Sequence, residues 1–208
     1  MNCTYKGSIG GNIVKKINSK QQIKTLVLGA IFTALVIVLQ FMGAFIRFGT
    51  FQVSLVLVPI VIGAAMCGTK IGAWLGFVFG AVVLLNGDAA AFLAIDVFGT
   101  ILTVLLKGTA CGLVAGLVYN SLQKRNRFVA VVAAAIICPI VNTGVFLLGC
   151  AVFFLDAVRE WGIAEGFNNT FKYMMIFFVG GNFLFELLSN IVLSPVIVRV
   201  LSLEKKNM

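Results

Sequence analysis

The sequence predicts an all-α integral membrane protein with six transmembrane helices. Of its 208 residues, 61% are hydrophobic and only 11% are charged, whereas soluble domains are roughly 45–50% apolar. The mean hydropathy is +1.09. The apolar residues form long unbroken runs, unlike the alternating strands of an outer-membrane barrel. At about 20 residues per crossing, this apolar content is sufficient for six helices.

The first 24 residues form a polar, basic tail. It contains several lysines and lacks the apolar core of a signal peptide, so it is expected to stay in the cytoplasm and lead into a retained first span. A single membrane domain is predicted over residues 25–203, followed by a cytoplasmic tail at 204–208. The six apolar runs of this domain cover approximately 25–45, 52–67, 71–86, 98–122, 128–155 and 171–201.

The distribution of basic residues predicts the orientation. With the N-terminus inside, twelve Lys and Arg residues lie on the cytoplasmic side, three lie outside, and Lys107 lies within a span. Cytoplasmic loops of membrane proteins are enriched in Lys and Arg, so both termini are predicted to be cytoplasmic. The net charge of +9 is then explained by the basic residues on the cytoplasmic side of the lipid bilayer, and no nucleic-acid partner is expected.

Several kinds of chemistry are excluded by composition. The chain contains no histidine, which rules out imidazole zinc sites and Ser-His or Cys-His nucleophile pairs. It contains no GxxxxGK[ST] loop, so it does not bind ATP in that way. No CxxC motif occurs and no two carboxylates share a span. We therefore expect no metal, no cofactor and no enzymatic activity.

Small residues recur at helical spacing in three of the runs. Two sets of glycines, each on one helix face, are predicted to let helix backbones approach closely. These are Gly72, Gly76 and Gly80 in the third run, and Gly108, Gly112 and Gly116 in the fourth. In the first run Ala30 and Ala34 stand one turn apart. Two interpretations of this alanine pair are open, internal packing and docking of a partner helix.

Polar residues inside apolar runs are costly to bury, so each needs a partner, a cavity or a ligand. Lys107 lies in the fourth run, and Glu186 is the only acidic residue inside a predicted span. Asn142 follows Pro139 in the fifth run, and Asn182 precedes Glu186 by one helical turn. At 1.5 Å per residue, Lys107, Asn142 and Asn182 lie about 13–20 Å below the outer surface. Three helices thus bring polar groups to one level.

Two interpretations of this polar level are open, and they are compatible. Lys107 and Glu186 form a structural ion pair, or helices four to six surround a ligand cavity of which the pair is one wall. The residues expected at the mouth of such a cavity are Arg47, Asn86, Asp88 and Trp161.

An ordered set of short motifs carries a family resemblance. After Ala30-xxx-Ala34 come VPIVIGA at 58–64, GTKIGA at 68–73 and GLVAGLVY at 112–119, and then Asn142-Thr143 and Gly181-Asn182 with Glu186. In this order and spacing, over roughly residues 22–203, the chain resembles the S components of energy-coupling factor (ECF) vitamin transporters. These are the substrate-binding membrane subunits.

The resemblance implies a function and partners. An S component in the bacterial cell membrane binds a vitamin or similar micronutrient from outside. Ala30 and Ala34 would dock on a shared transmembrane coupling protein, which two ATPases drive. The pocket would draw on Lys107, Asn142, Asn182 and Glu186.

The Asn-Thr pair in helix five and the Asn-x-x-x-Glu pattern in helix six look most like the pantothenate subfamily. A lysine at position 107, where that subfamily is expected to carry an arginine, is a departure from the pattern. The riboflavin subfamily is the alternative, since 19 Phe residues offer stacking surface. A self-sufficient secondary transporter is a further alternative, although the two halves show no inverted repeat.

Overall fold

The computed structural model describes residues 9–43, 47–48, 51–52 and 55–206, and it is almost entirely helical. The helices are α1 (Ile9–Gly43), α2 (Leu57–Cys67), α3 (Thr69–Leu85), α4 (Ala90–Leu93), α5 (Val97–Leu122), α6 (Arg127–Phe153), α7 (Leu155–Ala164), α8 (Thr170–Met174), a π-helix π1 (Met175–Phe183) and α9 (Leu184–Lys206). Two short antiparallel strands, β1 (Arg47–Phe48) and β2 (Phe51–Gln52), complete the described elements. The predicted all-α fold class is confirmed for this part of the chain.

In the part of the chain that the structure describes, three helical stretches are long and apolar enough to cross a membrane: Gln22–Gly43, Val97–Leu122 and Arg127–Phe153. The other apolar helices are shorter, 11 residues in α2 and 17 in α3. An 11-residue helix is about 16 Å long, roughly half the thickness of the hydrocarbon core. The presence of six spans therefore stays a prediction.

The surface of these helices carries many large apolar side chains. Leu26 in α1 is 72% exposed, and Leu148 and Val152 in α6 are 67% and 71% exposed. Water would disfavour so extensive an apolar surface, whereas lipid tails accommodate it. The surface is thus that of a protein embedded in a bilayer.

The helices differ from the predicted runs in three places. α1 begins at Ile9 rather than near residue 25, because residues 12–24 contain neither proline nor glycine and continue the helix without a break. The second run was expected from residue 52, but α2 begins at Leu57. The last run is divided into α8, π1 and α9, so a uniform 3.6-residue periodicity does not hold through it.

Side-chain caps fix the start of the two central helices. The Asp96 carboxylate accepts a hydrogen bond from the Phe98 amide at 3.0 Å, at the start of α5. The Asn126 side chain accepts one from the Phe128 amide at 2.9 Å, at the start of α6. Each cap satisfies a backbone donor that the first helical turn leaves unpaired. Both helices therefore have a defined first turn.

The glycines of α3 and α5 form one antiparallel contact, the glycine seam. A Cβ atom on Gly72 would lie 2.6 Å from the carbonyl oxygen of Gly112, and one on Gly76 would overlap that of Gly108. One on Gly80 would lie 2.7 Å from the Val104 carbonyl oxygen. Real Cβ contacts are never this short, so only glycine allows the two backbones to meet. The predicted role of these glycines in close helix packing is confirmed.

Gly76→Ala should therefore destabilise the protein. The new methyl group must separate α3 from α5, at a cost of about 1–3 kcal/mol that exceeds the better helix propensity of alanine. The control is Gly144→Ala in α6, because a Cβ there would have no neighbour within 4 Å. Thermal unfolding in detergent should show a lower midpoint for Gly76→Ala and an equal or higher one for Gly144→Ala. An unchanged midpoint for Gly76→Ala would contradict the tight seam.

Candidate ligand site

Lys107 lies where α3, α5 and α6 meet. It adjoins the glycine seam, since the next residue, Gly108, contacts the backbone of Gly76. Its Nζ atom lies 5.9 Å from the ring centre of Phe79 in α3 and 5.0 Å from that of Phe146 in α6. Within about 6 Å, the face of an aromatic ring attracts a cation. Two rings from different helices thus hold the half-buried ammonium group between them.

Two carboxylates act on this ammonium group. The stronger influence comes from Glu186 in α9, which is 3% exposed, and the weaker from Asp88, in the turn that follows α3. Glu186 thus contributes a favourable electrostatic interaction to Lys107, and the structural ion pair between them stays a prediction. A cation flanked by carboxylates suits a ligand that combines an anionic group with hydrogen-bond donors.

The helices α5, α6 and α9 also carry buried polar atoms. Among the described residues, no hydrogen-bond partner is found for Oδ1 of Asn142, for Oγ1 of Thr103 or for either amide atom of Asn190. Their side chains are at most 5% exposed. Leaving such an atom unpaired costs about 1–3 kcal/mol, and folded proteins rarely do so. These atoms are available to water or to a polar ligand.

The structure adds Thr103 and Asn190 to the predicted site. Thr103 precedes Lys107 by one turn of α5, and Asn190 follows Glu186 by about one turn of α9. Glu186, Asn190 and Ser194 form one buried face of α9. The four-residue spacing in the sequence could have identified this face. For Thr103 the only signal was its position one turn from the lysine.

The π-helix π1 lies directly before this buried face. It runs from Met175 to Phe183 and contains Asn182, whose side chain lies outside the described part of the chain. Because π-helical bonding shifts the register, Asn182 and Glu186 are not related by one α-helical turn as the sequence suggested. π-Helical segments are rare and are frequently found at functional sites.

An aromatic cluster covers one side of the site. The Phe92 ring of α4 lies 5.5 Å from Phe146, 5.1 Å from Phe154 and 5.4 Å from Trp161, measured between ring centres. All three contacts are edge-to-face, a favoured geometry for aromatic pairs. Phe146 contacts both Lys107 and Phe92, so the cluster begins at the ammonium group. Trp161, a predicted mouth residue, lies on its far side.

A hydrogen-bonded group joins the turn after α3 to α1. Asp88 Oδ2 accepts a hydrogen bond from Asn86 Nδ2 at 3.1 Å and another from Gln40 Nε2 at 2.8 Å. Gln40 is only 5% exposed. It was absent from the predicted site, although it is a lone amide in an apolar run, one turn after the buried Val36. The side chain of Arg47, another predicted mouth residue, lies outside the described part.

The two faces of α1 differ in their surroundings. Phe32, Val36 and Gln40 are buried against the bundle, whereas Ala30 and Ala34 are exposed on another face. Apolar side chains around the two alanines are exposed as well: Ile23, Val27, Ile31 and Val38. The alanine pair therefore does not serve packing within the described chain.

A half-buried cation, a buried carboxylate and uncommitted amides inside a helical membrane protein are the features of a site for a small polar molecule. Over residues 24–199 the chain matches the model of the family described as "ECF transporter, substrate-specific component". The chain belongs to this family. It is therefore the substrate-binding component of an ECF transporter, an integral membrane protein and not an enzyme. Neither a curated protein nor a solved structure gives a significant match.

Proposed function

We propose that this chain captures a vitamin, with pantothenate favoured, from outside a bacterial cell. It passes the vitamin to the cytoplasm through a shared transmembrane coupling protein driven by two ATPases. The proposal assumes six spans with both termini in the cytoplasm, as the distribution of basic residues indicates. The observation that carries it is the Lys107 ammonium group, half-buried between two aromatic rings and close to a buried carboxylate.

Each part of the site matches a part of such a ligand. Lys107 attracts the carboxylate of pantothenate, and Glu186 and the Asn142 amide oxygen accept hydrogen bonds from its hydroxyl and amide groups. The aromatic cluster covers the apolar portion. Asn182 completes the pocket in this proposal, and Arg47, Asn86 and Trp161 line its mouth.

A flat aromatic vitamin such as riboflavin is the second candidate. It is favoured by the rings around Lys107, which offer stacking surface on α3, α4 and α6. The absence of a guanidinium at position 107 also weakens the pantothenate assignment, because an ammonium group cannot bind a carboxylate in bidentate fashion.

The ligand can be identified directly from the purified protein. The chain is purified in detergent, one portion is denatured, and the small molecules that it releases are identified by mass spectrometry. Vitamins are then titrated onto folded protein from which the bound ligand has been removed. Pantothenate in a one-to-one ratio is the expected result. Riboflavin or another vitamin would overturn the substrate assignment and leave the binding function intact. No saturable binding across a vitamin panel would contradict the proposed function.

Dependence on the energising proteins separates the proposal from a self-sufficient transporter. In whole cells, uptake of the identified vitamin should require the coupling protein and both ATPases in addition to this chain. Uptake that persists without them would favour a secondary transporter.

A further inference from the structure

The segment Asn86–Asp96, which we call the cover, packs through Phe92 against the aromatic cluster beside Lys107. It begins after α3 with a turn at Gly87, whose φ is +81°, and it contains the short helix α4. Phe92 of α4 packs on Phe146, and Phe146 packs on the Lys107 ammonium group. Movement of this segment away from the bundle would remove Phe92 from the aromatic cluster and expose what lies beneath it.

The cover is joined to α1 by a strong type of hydrogen bond. Gln40 Nε2 donates to Asp88 Oδ2 at 2.8 Å, and hydrogen bonds to charged acceptors are roughly twice as strong as neutral ones. Asn86 donates to the same oxygen from within the cover itself. The bond from Gln40 therefore joins the cover to a neighbouring helix, whereas that from Asn86 stabilises the local turn.

Burial makes the Gln40 bond selective for the closed position. Gln40 is 5% exposed, so an open cover would leave its amide without Asp88 in a largely apolar surrounding. Such an unpaired amide is costly, which favours closure beyond the strength of the bond alone.

We propose that Gln40 is a positioning residue of the candidate site: through Asp88 it holds the Asn86–Asp96 cover closed over Lys107. This deepens the proposed function in one respect, because a closed cover retains the ligand and excludes water. The closure itself does not depend on which ligand is bound.

Cys150 reports on the cover without any ligand. It is 0% exposed and belongs to the same buried cluster as Phe154, against which Phe92 packs. Cys111 and Cys138 are equally buried but belong to the main core, to which the cover contributes Ala89 and not Phe92. Modification of all three by N-ethylmaleimide can be quantified by peptide mass spectrometry on the full chain in detergent.

The test compares Gln40→Leu with Thr33→Val. Thr33 also lies on α1, and it accepts a hydrogen bond from the Trp74 indole of α3 at 3.3 Å, away from the cover. Gln40→Leu should raise the modification rate of Cys150 about tenfold or more, given the strength of a hydrogen bond to a charged group. Cys111 and Cys138 should keep their low rates, and Thr33→Val should leave Cys150 unchanged.

An unchanged rate at Cys150 in Gln40→Leu would overturn the proposal. If all three cysteines react faster in that variant, Gln40→Glu decides instead. This variant keeps the size and polarity of the residue but places a second carboxylate against Asp88. The proposal requires that it raise the rate of N-ethylmaleimide modification at Cys150 and not at Cys111 or Cys138. A uniform rise there too would also overturn the proposal. These outcomes stand apart from the vitamin screen, since no ligand is added.

Discussion

A chain that carries both Ala30→Trp and Ala34→Trp should bind its vitamin normally and yet fail to support uptake. Both alanines are exposed on α1, away from the buried face that carries Gln40. Small side chains let two helices approach closely, and two indole rings would prevent a partner helix from doing so. Vitamin binding by the purified chain and uptake by cells containing the energising proteins measure the two effects separately.

The matched control is Leu148→Trp with Val152→Trp. These residues are also exposed, apolar and one turn apart, but they lie on α6. The control chain should keep both binding and uptake. If the α1 variant loses binding and uptake equally, the docking assignment of Ala30 and Ala34 is wrong. Equal loss of uptake in both chains would indicate a general sensitivity to exposed tryptophan.

Lys107→Met should weaken the binding of an anionic vitamin at least about 30-fold and that of its neutral amide or alcohol analogue far less. Methionine keeps the approximate length of the side chain but removes the charged group that lies over the Phe79 and Phe146 rings. Loss of one partner from a buried charged pair costs about 2–5 kcal/mol, and each 1.4 kcal/mol is a factor of ten in affinity. Calorimetric titration of both ligands measures the difference.

Lys107→Arg is the control that keeps the charge, and it should keep most of the preference for the anion. If Lys107 instead serves only as an ion-pair partner of Glu186, Lys107→Met should lower the thermal midpoint and reduce binding of both ligands alike. In that case Glu186→Gln added to Lys107→Met should restore much of the lost stability, because it removes the unpaired buried charge. Restored binding of the anionic vitamin in this double variant, and not restored stability alone, would contradict a ligand role for Lys107.

The sequence predicted the parts of the site that depend on composition and spacing. Lys107 and Glu186 are ionisable groups in apolar runs, and the cost of burying them marks them without any structure. The glycine seam was likewise predictable, because Gly72, Gly76 and Gly80 recur at a spacing that can only serve one helix face. Both predictions rest on local physical chemistry.

The features that were missed depend on contacts distant in sequence. Gln40 and Asp88 are 48 residues apart, and nothing near either residue indicates the other. The π-helical register of π1 was also missed, because π-helical segments are rare and no simple residue pattern marks them. The extension of α1 back to Ile9 was missed for a different reason, because hydropathy marks where lipid begins and not where a helix does.

The glycine seam also has a consequence for how the binding specificity of this protein can diversify. Lys107 adjoins a direct backbone contact that tolerates no side chain without loss of stability, so the α3–α5 wall of the candidate site is fixed in position. Mutational tolerance should accordingly be uneven: low along the seam, and higher along α6 and α9, where side chains set the spacing. In the proposed pocket, a change of ligand size would then be accessible through Asn142, Glu186 and Asn190 without loss of the scaffold. The α3–α5 side of the pocket would then stay constant during evolution, and substitutions on α6 and α9 would change the nutrient that is bound.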